Sequence, residues 1–132
     1  MLSFSGTRPN NLGVTDGKLA ACPSSPNCVS SQAPQSDAEH HIAPLDCSGV
    51  DNPMARLRTI VSTLERTTIV TESEDYLYAE FKTALMGFVD DVEFFLDRAS
   101  NLIQVRSASR LGQSDLGVNR KRIEAIRAQF AA

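Results

Sequence analysis

Apolar positions fall into regular periods only from about residue 52 onward. Met54, Leu57, Ile60, Val61 and Leu64 recur at helical spacing, with Arg56, Arg58, Ser62 and Glu65 on the other side. Asn52 suits the N-cap, and Pro53 occupies the first helical position, where its missing N–H costs nothing. Thr67 to Thr71 is β-branched and apolar and predicts a strand. Tyr76 to Leu85 alternates, with Leu77, Ala79, Phe81, Thr83 and Leu85 on one face. Val92, Phe94 and Leu96 form a second alternation, and Ile103, Val105 and Ser107 a third. A last helix is predicted from about Asn119 to Phe130, its core stripe made of Ile123, Ile126 and Phe130 and joined by Leu116 upstream.

The hairpin from Asp91 to Arg110 can be closed through Arg98, Ala99, Ser100 and Asn101 so that Asp97 faces Leu102. That register pairs Leu96 with Ile103, Phe94 with Val105 and Val92 with Ser107 on the core face, and Glu93 with Arg106 on the opposite face. A slip by one residue would turn Phe94 toward the outer residues of its partner, so the pleat selects one register. The expected architecture is α+β: a four-stranded antiparallel meander flanked by two helices.

Residues 1–50 read differently. Pro9, Pro23, Pro26, Pro34 and Pro44, paired serines and several asparagines leave no sustained period of either kind. Leu12, Val14, Leu19, Val29, Ile42 and Leu45 are too regularly spaced for a purely polar tail, so this stretch is expected to be an extended, irregular strap packed on a core formed by residues 51–132, in a single domain overall. At 132 residues the chain is long enough to bury a core without metal or disulfide support. It lacks a run of about 18 apolar residues, and Met1 to Lys18 lacks the apolar centre of a secretory signal. Placement in the cytoplasm is the expectation, with any membrane contact peripheral.

The net charge of −3 conceals a polarity along the chain. From Arg98 onward seven Lys and Arg face Asp115 and Glu124, a balance of +5, whereas the preceding part carries −8. An overall acidic chain argues against nucleic acid as a partner. Pairing between the two parts, as of Glu93 with Arg106, accounts for most of the asymmetry; as surface pairs these contribute ~0–1 kcal/mol each. Arg120, Lys121 and Arg122 need a further reason, because they occupy the first turn of a helix whose N-terminal dipole favours anions by ~0.3–1 kcal/mol per charge. Either an acidic neighbour such as Asp90, Asp91 or Asp115 compensates them, or Arg110, Arg120 or Arg122 holds an anionic ligand together with hydroxyls of Ser107, Ser109 and Ser114.

Catalytic chemistry is less well provided for. The strap offers serines and thiols, but the only imidazole bases are His40 and His41 in the same irregular stretch, and no nucleophile elbow, phosphate loop or dinucleotide motif is present. Asp90 and Asp91 are consecutive strand residues that point to opposite faces, so one at most enters a given site. Three cysteines, Cys22, Cys28 and Cys47, do not make a disulfide framework, and their spacing does not suit zinc. Free thiols are expected, although the Pro-Ser-Ser-Pro-Asn turn between Cys22 and Cys28 is compact enough for a reversible, redox-active disulfide.

Cys22-Pro-Ser-Ser-Pro-Asn-Cys-Val-Ser-Ser31, Gly87-Phe-Val-Asp-Asp-Val-Glu-Phe94, and the run from Arg106 through Arg120 to Arg127 together resemble the domain of unknown function 1499 family over residues 5 to 130. The family occurs in bacteria, including cyanobacteria, and in plastid-bearing eukaryotes, and carries no established activity or cofactor. By analogy the resemblance fits an accessory role at a photosynthetic membrane. Its signature falls on the strap, the Asp90-Asp91 pair and the Arg106 to Arg120 segment. Gln113 stands where an aromatic residue is common, and Cys47 lies outside the signature. The joint expectation is a polar cleft, closed by the strap and lined by Asp91, Arg106, Ser109, Arg110, Asn119 and Arg120. Such a cleft suits a binding or accessory module for an anionic small molecule, a lipid headgroup or a partner protein. The alternative is a small hydrolase-like or thiol-redox enzyme built on the Cys- and Ser-rich strap.

Overall fold

Asn52 opens the first helix as its spacing implies: its side chain accepts the amide of Ala55, and Pro53 begins the helical turn. In the computed structural model, which describes residues 6–84, 87–112 and 115–132, the elements in chain order are β1 (Cys28–Ser30), β2 (Leu45–Asp46), α1 (Pro53–Ser62), β3 (Thr67–Glu72), β4 (Tyr76–Lys82), β5 (Val89–Asp97), β6 (Leu102–Ser109) and α2 (Val118–Ala131). Leu85, Gln113 and Ser114, which entered the sequence reading, lie outside the described residues.

Among the described residues the fold is α+β, with two helices and a sheet of six strands rather than four. The sheet order is β1-β6-β5-β4-β3, with β2 also paired to β6. The two additional strands come from the irregular N-terminal stretch, whose short β-runs were hidden by its prolines. Both are antiparallel to β6, with Cys28 opposite Ala108 and Leu45 opposite Ile103. The long hairpin closes in the register the pleat selects: Leu96 with Ile103, Phe94 with Val105, Val92 with Ser107, and Glu93 with Arg106.

Both helices cover one face. Met54, Leu57, Ile60 and Val61 of α1 and Ile123, Ile126 and Phe130 of α2 share a buried cluster with Leu77, Ala79, Phe81, Val92, Phe94, Ile103 and Val105. Full burial of a side chain such as Phe94 or Ile103 stabilises by ~1.5–3 kcal/mol, so this face carries most of the folding free energy. Val29, Ile42, Leu45 and Cys47 from the irregular stretch join the same core. Val14, expected among the docking residues, is exposed, and Leu12 is only half-buried.

The opposite face carries Tyr76, Tyr78, Glu80, Asp91, Glu93, Arg106 and Arg110. Residues 8–22 of the strap run across it. Arg8 Nε donates to Glu80, the Gly13 amide to Glu93, and Arg106 to the Ala21 carbonyl. Glu93 and Arg106 are therefore not a surface pair: they are 0% and 5% exposed. The β-pleat puts them opposite each other, and the strap removes them from water.

Candidate functional site

Alternation in β4 and β5 brings Tyr78, Glu80 and Asp91 together on the strap side, where Arg110, following β6, reaches back over them. Arg110 grips Asp91 with two bonds, Nε to Oδ2 and Nη2 to Oδ1, both 2.8 Å, and its Nη2 also reaches Glu80. Tyr78 donates its hydroxyl to Asp91 at 2.5 Å, and Arg8 closes the group from the strap at 2.8 Å from Glu80. The Arg8 bond, with Arg110 and Tyr78, holds the Glu80 carboxyl below its ordinary range. Burial and the Asp91 bond push the Tyr78 hydroxyl up, and the Asp91 bond raises Arg110 further. Two arginines and two carboxylates neutralise one another here, leaving little capacity for a ligand.

Beside this closed group lies an open one. Glu93 Oε2 accepts the Gly13 amide at 2.7 Å and the Tyr76 hydroxyl at 2.6 Å, while the buried Oε1 has no partner. Arg106, in register with it, makes a 3.3 Å bond from Nη2 to the Ala21 carbonyl, and its buried Nε has no partner. Among the described residues no ion pair joins the two side chains. Burial lowers the Arg106 pKa, opposed through space by Glu93 and Asp91. Arg106 lines a cleft of about 410 Å³ between strap and sheet. Asp91, Ala108, Ser109 and Arg110 also form its sheet side, and Thr7, Pro9, Asn11, Ala21, Cys22 and Pro23 its strap side.

The six residues expected to share one site are divided by the sheet. Asp91, Arg106 and Arg110 lie on the strap side and line the cleft with Ser109. Asn119 lies on the helix side: it bonds Ser109 Oγ at 2.9 Å, accepts from Ser107 at 2.6 Å, and takes part in a knot with Arg122. Arg122 pairs with Asp90 at 2.7 Å and stacks over Phe81 at 4.8 Å. Arg120 turns away from both and donates to the carbonyls of Ala38 and Glu39. Structural partners thus account for Arg120 and Arg122 in the cationic first turn of α2. Asp115 supplies the acid that such a turn lacks, accepting the Gly117 and Asn119 amides at 2.8 and 3.1 Å. Burial pushes its pKa up, but the Asn119 side chain and then those two amides together bring it below the ordinary value.

The first signature motif acts as a docking loop. Cys22 and Cys28 are joined by a disulfide, in place of two free thiols, and Cys47 is free and buried, which raises its pKa. Within the loop Asn27, 4% exposed, donates to the Gly112 carbonyl at 2.7 Å, and its own carbonyl accepts the Ser109 amide. His40 holds the loop from outside, Nδ1 against Asp37 at 2.7 Å and Nε2 against the Ser25 carbonyl at 2.8 Å. Acceptors at both ring nitrogens favour the protonated imidazole, and its pKa is raised by the Ser25 bond and then by Asp37, against burial. The Asp37–His40 pair therefore has its second nitrogen committed to a carbonyl rather than to a nucleophile.

Sequence reasoning missed Tyr76, Tyr78 and Glu80, whose signal is the polar half of the β4 alternation, and Asp37, three residues before His40. Among the described residues no cluster of three or more His, Cys, Asp or Glu is placed to hold a metal ion, and no helix is long and apolar enough to cross a membrane.

These signature segments, the disulfide loop, the Asp90-Asp91 strand and the β6–α2 connection, meet in space. The family described as "Protein of unknown function (DUF1499)" matches residues 18–130. The chain belongs to the DUF1499 family. No curated protein and no solved structure matches it. In this DUF1499 domain each signature motif is a neighbour of another: Asn27 of the first bonds the backbone of the third, and Asp90 and Asp91 of the second pair with Arg122 and Arg110.

Proposed function

We propose that this DUF1499 domain is a binding module that takes a small anion, a carboxylate or phosphate group, in the cleft between strap and sheet, with Arg106 as the charge that receives it. One observation carries the reading. Arg106 is a buried guanidinium with an unpartnered Nε and a single long bond, on the wall of a cleft, while the neighbouring Arg110 is fully engaged. A buried charge without good partners costs several kcal/mol, and an oxyanion in the cleft beside the guanidinium offsets part of that cost. Ser109 lines the same cleft, while its hydroxyl accepts from Asn119 on the helix side. Asp90, Arg122 and Arg120 belong to the frame. The commitment of His40 to Ser25 speaks against the hydrolase-like alternative. The disulfide supports action in a compartment where such bonds persist, in place of the expected cytoplasm.

The test is titration of the oxidised protein with inorganic phosphate and with acetate, followed by amide chemical shifts. Saturable shifts at Arg106, Ala108 and Cys22 are expected, weakened about 30-fold or more in Arg106→Met. A folded Arg106→Met that binds as the parent does removes the reading. Vesicles of phosphatidylglycerol separate the two sources of a phosphate group: binding to them without response to free phosphate assigns a lipid headgroup.

A further inference from the structure

We propose that the Cys22–Cys28 disulfide is a reducible clasp, opened by a dithiol reductant at Cys22, that holds the strap closed over the Arg106 cleft. The cleft's role in anion binding rests on the reading above; the clasp itself rests on three independent features.

The two sulfurs are placed unequally. Cys28 is 0% exposed, within β1 against β6, whereas Cys22 is partly exposed. Cys22 also lines two clefts, the Arg106 cleft of about 410 Å³ and a second of about 230 Å³ that reaches His40. A reductant can therefore approach the bond from the Cys22 side and not from the Cys28 side. One thiolate of a dithiol attacks Cys22 Sγ, the S–S bond breaks, and the electron pair leaves with Cys28, which takes a proton. The second thiol of the reductant then displaces Cys22 from the mixed disulfide. The protein gains two electrons and two protons, and the dithiol becomes a disulfide. Arg106, lining the same cleft, favours Cys22 as the thiolate leaving in the second step.

The bond also closes a short ring. Its cysteines are six positions apart, so it removes less loop entropy from the unfolded chain than a long-range bridge would. On the Cys28 side the loop is anchored without it: β1 pairs with β6, Asn27 bonds Gly112 and Ser109, and His40 holds Ser25. On the Cys22 side no strand pairing among the described residues holds the chain, and the anchors are separate hydrogen bonds: Gly13 to Glu93 and Arg8 to Glu80 at the far end, and Gln32 Nε2 to the Gly17 carbonyl at 3.1 Å nearer the bond. The Leu19 amide bonds Gln32 Oε1 at 2.9 Å, and Ala21 accepts the 3.3 Å bond from Arg106. Reduction thus loosens the part of the strap wall next to Cys22, from Lys18 to Pro23, while Arg8 and Gly13 keep its far end on the sheet and the sheet stays intact.

Amide hydrogen exchange on the full chain, oxidised and then reduced with dithiothreitol, tests this, with Cys22→Ser/Cys28→Ser as the permanently open form. Lys18 and Leu19 are expected to lose protection on reduction while Ser30 and Ser109 keep theirs. Phosphate affinity is expected to change by about fivefold or more between the two states. Loss of protection at Ser30 and Ser109 together with Leu19 would make the bond a staple of the fold and overturn the clasp. Unchanged exchange at Leu19 overturns it as well, as does equal phosphate affinity in both states. If phosphate binds neither state, the anion reading fails separately, and the exchange pattern still decides the clasp.

Discussion

On the helix side of the sheet one polar knot, Asp90 with Arg122, Asn119 and Ser107, is set into a continuous apolar cluster and has its partners in place. The strap side has nearly the reverse composition: a charged face on which Asp91, Glu80, Arg8 and Arg110 satisfy one another while Glu93 and Arg106 each keep a buried atom without a partner. Strands β5 and β6 serve both faces, and Asp90 and Asp91 are adjacent in the chain, so the difference arises from what covers each face. Helices bring repeated apolar side chains and no free backbone groups in mid-length. An irregular strap brings carbonyls and amides, such as those of Gly13 and Ala21, which only polar side chains can use. Under the strap two buried charges, Glu93 and Arg106, keep an atom without a partner, whereas under the helices Asp90 and Arg122 are paired.

That contrast can be broken most directly at the two aspartates. Asp90→Ala leaves Arg122 beneath α2 without its counter-charge, and a loss of ~3–5 kcal/mol is expected in urea unfolding. Asp91→Ala is expected to cost less, ~1–3 kcal/mol, because Arg110 retains Glu80 and Tyr78. Equal losses at the two positions would show that the faces do not differ in the way their partners imply.

The smallest effect sharpens the strap side through pH. The folded His40 pKa lies above its ordinary 6.5, so the stability it contributes is fully present below 6.5 and is lost as pH rises through the folded value. The gap in urea midpoint between the parent and His40→Gln is therefore expected to be wider at pH about 5.5 than at about 9. A gap that does not vary with pH would mean that His40 acts through its neutral form.

Much of the strand scaffold is legible in local pattern. The period of two fixes which residues of β5 and β6 share a face, and hence Glu93 opposite Arg106. The same period separates Asp90 from Asp91, and so already divides any site that includes both. Less legible is the meaning of the cations in α2. Arg122 and Arg120 look unusual for a first turn only until Asp90 and the carbonyls of Ala38 and Glu39 are beside them, partners 32, 82 and 81 positions away in sequence. The disulfide is similar: spacing permits it, but only β1 pairing with β6 sets Cys28 where Cys22 returns to it.

By itself, the sequence determines the helices, the long hairpin, its register and the polar identity of one sheet face, because these follow from periods of a few residues and from caps that act locally. Only the tertiary structure decides that the polar face is buried, since the strap that covers it touches Glu93 from a position 80 residues earlier. No local period encodes a contact of that range. The same burial makes Arg106 a charge in need of a partner instead of a solvated one, and that change of environment, not of residue type, turns a paired strand position into the candidate binding site.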